Sequence, residues 1–542
     1  MNEPMDRFSP EEHSLEVTPK QETFPGNVHT EAFSEEEDHY HGHLGSTRYD
    51  RSDMERMGKI QELRRNFRPL SALSFVVILQ GTWEVLLTAT TQGLVDGGTA
   101  GLIWSYVWTF FGMGLVNVSL AEMASMAPTS GGQYHWVSEF APPRYQQFLS
   151  HSMGWMSTLS WQAGTASGPF LVGTLIQSLI SVNYPDYEAT NWQGTLFVFA
   201  VTLVVWLMNV WGSRAMPLLQ NLMLIVHIGG FLAILIIFWV LAPHNTAEVV
   251  FTNFTNDGGW STMGLSLMVG QISALYGLIC SDAAAHMSEE IKDAGATVPR
   301  AMLSSYLLNA GLGFVFLISF MFCMTNITDA LNDATGYPFI WVFRQTVSTS
   351  GLNGLSSIVI LLIFAGTLSF NLSTSRQTWA FARDGGLPFS RWIARVNPKL
   401  QIPANAVSVT CLISVLLSLI NIGSNAAFNA IISLNLTSLM ITYVVSIGCV
   451  LYRRWTHPEL LPRARWSLGR WGVPINLGAF LYSCFMFFWC FWPNSTPVDL
   501  ESFNWSVVMF VGVAVISLLD FIFRARKAFK GPVTIVQGWR VD

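Results

Sequence analysis

Seven stretches of this chain, residues 145–185, 215–247, 258–281, 301–328, 345–375, 400–452 and 471–498, contain no Asp, Glu, Lys or Arg. A bilayer core needs roughly 20 apolar residues per helix, so windows of this length read as membrane spans. Composition agrees: 12% of the 542 residues are charged and 51% are hydrophobic, where soluble domains carry roughly twice that charge. The longest window is divided by Asn421-Ile422-Gly423-Ser424-Asn425, a turn signal, and therefore holds two helices. The pattern predicts an all-α integral membrane protein with twelve transmembrane helices, near 70–95, 101–127, 147–181, 193–211, 215–242, 261–287, 301–325, 351–380, 404–421, 427–452, 472–492 and 503–524.

Basic residues test that count, because positive charge is retained on the cytoplasmic side during insertion. With the N-terminus inside, 28 of the 29 Lys and Arg fall on one side, counting Arg376 at the inner end of the eighth span, and only Arg344 falls outside. Three N-x-[ST] glycosylation sequons, at Asn253, Asn326 and Asn494, land in predicted outer loops, while those at Asn117, Asn371 and Asn435 lie inside spans. The net charge of −6 is unevenly placed: residues 1–60 carry −8 and the remainder +2. An acidic tail before a nearly neutral apolar body argues against nucleic acid as a partner.

Residues 1–66 lack apolar periodicity and read as a disordered cytoplasmic tail. The run Glu35-Glu36-Glu37-Asp38-His39-Tyr40-His41-Gly42-His43 has metal-ligating residue types, but no rigid element holds the imidazoles, so it reads as a solvated segment. The six Cys have no paired spacing and sit in apolar stretches, as small buried thiols do. No cofactor or metal site is called for. The remaining organisation is a core over 67–452, two further helices over 453–524 and a tail over 525–542.

Two spans carry polar interruptions at membrane depth. The first contains Gln80-Gly81-Thr82-Trp83-Glu84, and the sixth contains Tyr276-Gly277-Leu278-Ile279-Cys280-Ser281-Asp282. An ionised carboxylate there is costly unless it meets water, a partner or a cation. The two spans are five helices apart, and interrupted helices at corresponding places in two inverted halves mark a transport site. The competing reading is that the glycines only allow close packing and the carboxylates sit near an interface. If the helices open, freed amides suit a substrate carboxylate, and freed carbonyls or a carboxylate suit an ammonium group.

The chain resembles the amino acid–polyamine–organocation transporters, and within them the fungal amino acid/choline group of choline, GABA and polyamine permeases. The resemblance runs from about 65 to 525 and rests on Ala121-Glu122-Met123-Ala124-Ser125 with Pro128, Ser130-Gly131-Gly132-Gln133-Tyr134, Ser288-Glu289-Glu290-Ile291 with Pro299, Ser375-Arg376, and Ala382-Arg383-Asp384-Gly385-Gly386-Leu387-Pro388. It implies the LeuT-type fold: inverted five-helix repeats, here about 70–242 and 261–452, with broken helices 1 and 6. Where the family's first break reads Gly-Ser-Gly, this chain has Gly81-Thr82-Trp83. Trp83 then places an aromatic face beside Glu84, which suits a cationic head group.

The resemblance also points to a coupling residue in the fifth span, at His227. Imidazole titrates near neutrality and could exchange a proton; a neutral His bonded to a neighbouring helix is the equal alternative. Glu122, Glu289, Glu290 and Arg376 read as gate or loop-anchoring charges. Trp161, Gln162, Ser373, Asn429 and above all Asn371 are further cavity candidates, although interhelical bonding explains such residues equally well.

The expected function is a secondary transporter importing a small nitrogenous solute (an amino acid, GABA, choline or a polyamine) with protons as coupling ion, at the plasma membrane by family habit. An uncoupled facilitator and a vacuolar or exporting relative are the alternatives. A membrane enzyme lacks its motif, since neither His-Glu-x-x-His nor G-x-S-x-G occurs.

Overall fold

A computed structural model describes residues 44–423, 427–500, 502–529, 531–532, 535–536 and 539–540. Among these, eleven helices are long and apolar enough to cross a membrane, from Pro69–Val95 to Ser506–Ala528. A shorter apolar helix, Met263–Leu278, takes the sixth place and completes the twelve expected spans. Strand pairing among the described residues is slight: Ile535–Val536 runs antiparallel to Trp539–Arg540, and isolated bridges join Phe67 to Ile291 and Asn397 to Ile402. Burial orders the spans: 83% of the first span's apolar window is buried and 11% of the twelfth's, so the first is the most enclosed and the twelfth lies at the periphery. The third span, Gln146–Asn183, packs along the eighth, Thr349–Arg383, and the tenth; the seventh, Ala294–Cys323, packs along the first and second.

The arginine-rich ends of the spans depart from expectation in two places. The tail expected to be disordered through residue 66 is folded from Leu44 onward among the described residues, with a helix at Arg48–Arg56. A capping box nucleates that helix: Thr47 Oγ1 accepts from the Asp50 amide, and the Asp50 carboxylate accepts from the Thr47 amide at 2.9 Å. Its composition is polar, and the ordering comes from tertiary ion pairs together with a few scattered apolar anchors, Met54, Met57, Leu63 and Phe67, that are buried in the core without a periodic pattern. The seventh helix begins at Ala294 rather than at 301, because Asp50 also caps it from a distance, accepting from the amides of Asp293 and Ala294 at 3.0 Å each. The motif at 130–134 opens a further short helix, Gln133–Phe140, with Gly132 at φ +55° as its hinge. The acidic and histidine-rich run at 35–43, and Ser424 and Asn425, lie outside the described residues. Five of the six cysteines are buried and Cys484 is half-buried.

Candidate substrate site

The first span is two helices, Pro69–Gln80 and Thr82–Thr88, joined by Gly81 at φ +43°, ψ +47°. This left-handed conformation needs no Cβ, so one glycine turns the chain while its amide still donates to Val77 O at 3.0 Å. The sixth span runs as Met263–Gly270 and Ile272–Leu278, then opens at Ile279 and Cys280 before a short turn, Ala283–His286. Cys280 sits at φ +68°, so both interrupted spans pivot on one left-handed residue. The breaks brace each other: Gln80 Nε2 donates to Ile279 O at 3.0 Å, and Thr82 Oγ1 donates to Gly277 O at 2.8 Å. Two carbonyls released by the sixth span are thus satisfied by side chains flanking Gly81. Gly313 of the seventh span permits this approach, since a Cβ there would meet Thr82 Cγ2 at 2.5 Å.

A small cavity of ≈50 Å³ lies against the first break. Gln80, Gly81, Glu84, Tyr276, Ser167 and Thr367 give it polar groups, and Phe370 closes one wall. Tyr276 also lines a larger vestibule of ≈330 Å³ that reaches Gln92, Tyr337 and Asn494 on the side away from the arginines. It is the partition between the two spaces, held by its hydroxyl 3.0 Å from Ser167 Oγ. A second hydroxyl pair, Tyr337 and Thr174 at 2.6 Å, crosses the vestibule wall.

Glu84, on the cavity wall, meets His227 of the fifth span: Oε1 lies 2.6 Å from Nδ1. Trp83 Nε1 donates to the same Nδ1 at 3.2 Å. All three side chains are buried, and Trp83 packs against Phe231 and Phe316. The proton count here is constrained, because an indole nitrogen only donates and an ionised carboxylate only accepts. With the proton on Glu84, both neighbours share the single lone pair of Nδ1. Moving that proton to His227 leaves the Trp83 N–H facing another N–H. Glu84 Oε2 and His227 Nε2 have no partner among the described residues.

On the arginine-rich side of the breaks, Asp282 turns away from the cavity: it accepts from Tyr443 OH at 2.8 Å and from Gln133 Nε2. Ser281 donates to Asn117 Oδ1 at 2.8 Å. Beyond them lies a continuous layer of charge. Arg383 grips Glu289 through two bonds at 2.8 and 2.9 Å, and Arg376 donates to Glu290 at 2.6 Å. The 44–68 segment straps this layer. Arg65 donates to the carbonyls of Ser288 and Ile291 and lies 3.3 Å from Asp50, Lys59 meets Asp384, and Tyr134 OH donates to Asp384 at 2.9 Å. Burial pushes the Asp50 carboxyl up, but Arg65 and the amides of Ala294 and Thr47 outweigh it and hold the group below its ordinary range. The same contest, won by Arg383, lowers Glu289. Glu122 anchors the loop after the tenth span, bound by Arg454, by Ser467 Oγ at 3.1 Å and by the Leu468 amide at 2.9 Å.

The interrupted spans thus bring together Gln80, Gly81, Glu84 and Tyr276 at the cavity, with Thr82, Trp83, Gly277 and Ile279 packed behind them. Cys280, Ser281 and Asp282 lie toward the charged layer. Asn371 points to Cys411 Sγ of the ninth span, 3.3 Å away, and its helix presents Thr367 and Phe370 to the cavity instead. Trp161 packs on His286, and Gln162 donates to Thr378 and Thr410. Ser167 and Thr367 were absent from the sequence-level candidates, as hydroxyls on long unbroken helices carry no signal of the face they present. Of the sequons, Asn253 and Asn326 are exposed and Asn494 lines the vestibule.

Comparison with known proteins agrees with this architecture. The amino acid permease family model matches residues 70–515. A predicted amino acid/polyamine transporter of Macrophomina phaseolina is 31% identical over 440 residues, covering 80% of this chain and 96% of that protein. The choline transporter of Saccharomyces cerevisiae is 26% identical over 474 residues, covering 86% and 83%, and an amino-acid permease of Arabidopsis thaliana is 28% identical over 500 residues, covering 89% and 96%. The crystal structure of the manganese transporter of Eremococcus coleocola aligns over 84% of this chain and 93% of its own, with a TM-score of 0.50 at 12% identity, which shows a shared LeuT-type fold. A chain with these spans, these breaks and these relatives is no enzyme; it belongs to the amino acid permease family, as a multi-pass membrane transporter of amino acids or related organic cations.

Proposed function

We propose that the protein imports a small nitrogenous solute, such as an amino acid, GABA, choline or a polyamine, together with a proton, and that the solute binds where the first and sixth spans break. The observation that carries this reading is the contact of Glu84, on the cavity wall, with His227 Nδ1 behind it, which Trp83 also meets. In the empty site the pair holds one proton between carboxyl and imidazole. An incoming ammonium group takes the Glu84 carboxylate and the proton passes to His227, with the Trp83 N–H turning away from Nδ1. Solute and proton then leave together, which is symport. The cavity of ≈50 Å³ must widen first, and a swing of Tyr276 would join it to the vestibule of ≈330 Å³.

The opposite closure is the charged layer with its strap, in which Glu289, Glu290 and Arg376 act as gate charges. Repeats over 70–242 and 261–452, with N- and C-termini cytoplasmic and 453–524 as an added pair, supply the rocking halves of alternating access. Plasma membrane is the proposed location, with sequons Asn253, Asn326 and Asn494 facing out.

Uptake of a labelled panel of amines and amino acids into proteoliposomes under an imposed pH gradient tests the proposal. Accumulation should collapse on adding a protonophore. Glu84→Gln should lose at least tenfold in uptake while remaining folded, and His227→Gln should retain solute exchange but lose accumulation. Unchanged uptake kinetics in Glu84→Gln would remove that residue from the site, and accumulation indifferent to the protonophore would favour an uncoupled facilitator.

A further inference from the structure

A second, larger space lies away from the transport path. Between the third, fourth and eighth spans a groove of ≈730 Å³ opens toward lipid, with Val204 and Leu361 on its edge exposed by 43% and 44%. Its walls are stripes on three helix faces, including Val172 and Ile176, Phe197 and Val204, and Ile360 and Phe364. Along the third span it runs from Val172 to Asn183, about 16 Å at the helical rise, which matches half of a hydrocarbon core. Volume over length gives a cross-section of about 45 Å², which admits a flat fused-ring body or two acyl chains side by side, so the head-group end discriminates between them.

The polar groups gather at one end. Asn183 and Asn353 exchange two hydrogen bonds, at 2.9 and 2.8 Å, and clamp the third span to the eighth there. Ser357 Oγ donates to Asn353 O at 2.7 Å and keeps its lone pairs for an incoming donor, and Tyr184 is exposed beside Asn183. No Asp, Glu, Lys or Arg lines the groove, and the nearest charges in the following loop are the exposed Asp186 and Glu188. A phosphate head group would find two carboxylates and no cation. A single hydroxyl would find Ser357, Asn183 and Tyr184.

We propose that this groove is a binding site for a sterol-class lipid, its ring system between Phe197 and Phe364 and its hydroxyl at the Asn183–Ser357 end. Val172 and Phe364 line the groove while their neighbours Leu171 and Ile363 line the central cavity, so the occupant lies one helix wall from the transport site. It braces the third and eighth spans against the fourth.

The test is photolabelling of the full-length protein in phosphatidylcholine nanodiscs with a diazirine-bearing sterol. Labelled peptides should map to 172–184, 197–204 and 357–364, and excess unlabelled sterol should suppress labelling at least fivefold. The 3-O-methyl ether should compete several-fold less well. Ala200→Trp, which fills the groove, should lower labelling at least fivefold, whereas Leu207→Trp on the same span outside it should not. Labelling spread evenly over lipid-facing spans, or equal competition by a diacyl phospholipid, would overturn the proposal and leave ordinary annular lipid. The two competition arms use the unaltered protein, so the result stands even where the tryptophan variant fails to fold.

Discussion

The two ends of the central cavity are closed by different chemistry. Toward the arginine-rich face the closure is ionic and layered: Arg383–Glu289, Arg376–Glu290, Lys59–Asp384 and the buried Arg65–Asp50 pair join three segments of the chain. Toward the vestibule it consists of hydroxyl contacts, Tyr276–Ser167 and Tyr337–Thr174, with no ion pair between them. Neutral hydrogen bonds contribute about 1 kcal/mol each, whereas removing one partner of a buried ion pair costs about 3–5 kcal/mol. The asymmetry makes the vestibule side the easier to open.

The largest effect should follow from cutting the strap. Asp50→Ala strips Arg65 of its buried partner and the seventh helix of its cap, so we expect about 3–5 kcal/mol of lost stability in the closed layer. Cys280, buried just above that layer, becomes the reporter: an impermeant maleimide applied from the arginine-rich side should label it many-fold faster in the variant. Equal labelling rates would show that the strap is not part of the closure.

A pH dependence separates the two ends next. Asp96, in the loop between the first and second spans, is wholly buried, and burial pushes its carboxyl up to about 7. Gln92 Nε2 and Ser266 Oγ donate to it, tying the vestibule wall to the sixth span. Between the ordinary value of 3.8 and about 7 the folded state holds a proton that the unfolded chain has released. Stability at this end therefore falls as pH rises through that window and stays low above it. Asp96→Asn keeps the neutral shape, so its unfolding temperature should be flatter across the same range; an unchanged slope would place the titration elsewhere.

Two smaller changes sharpen the contrast. Tyr276→Phe removes one neutral bond from the partition and should speed solute exchange several-fold, on the scale of about 1 kcal/mol, measured as counterflow in proteoliposomes. Cys280→Gly should relieve the left-handed strain at the sixth break, a gain of about 1–2 kcal/mol seen as a raised unfolding temperature. A destabilised glycine variant would show that the thiol's packing outweighs the strain.

Much of this molecule is legible in one dimension. The charge-free windows place most spans to within a few residues, the end of the sixth and the start of the seventh excepted, because desolvation of a charge in hydrocarbon is large enough to dominate most local preferences. The interruptions at 80–84 and 276–282 are visible for the same reason, as polar residues where none are tolerated without a purpose. His227 stands out as a lone imidazole in an apolar helix, but its 2.6 Å contact with Glu84 bridges 143 residues and no local pattern announces it. The strap is the clearest failure of pattern: 44–68 is mostly polar and aperiodic, and it folds because Asp50, Lys59 and Arg65 find partners far along the chain while Leu63 and Phe67 bury in the core. Asn371 illustrates the converse, a polar residue at the expected depth whose helix rotation turns it toward Cys411.

What the sequence by itself determined is the number of spans, the side bearing the basic residues and the depth of the two breaks, since transfer from water to hydrocarbon acts on each segment independently. Tertiary structure alone decided which carboxylate meets an imidazole, which faces the cavity and which is held in the ion-paired layer. Those outcomes depend on the rotation and approach of helices far apart in sequence, where hydrogen bonds are won or lost over fractions of an ångström.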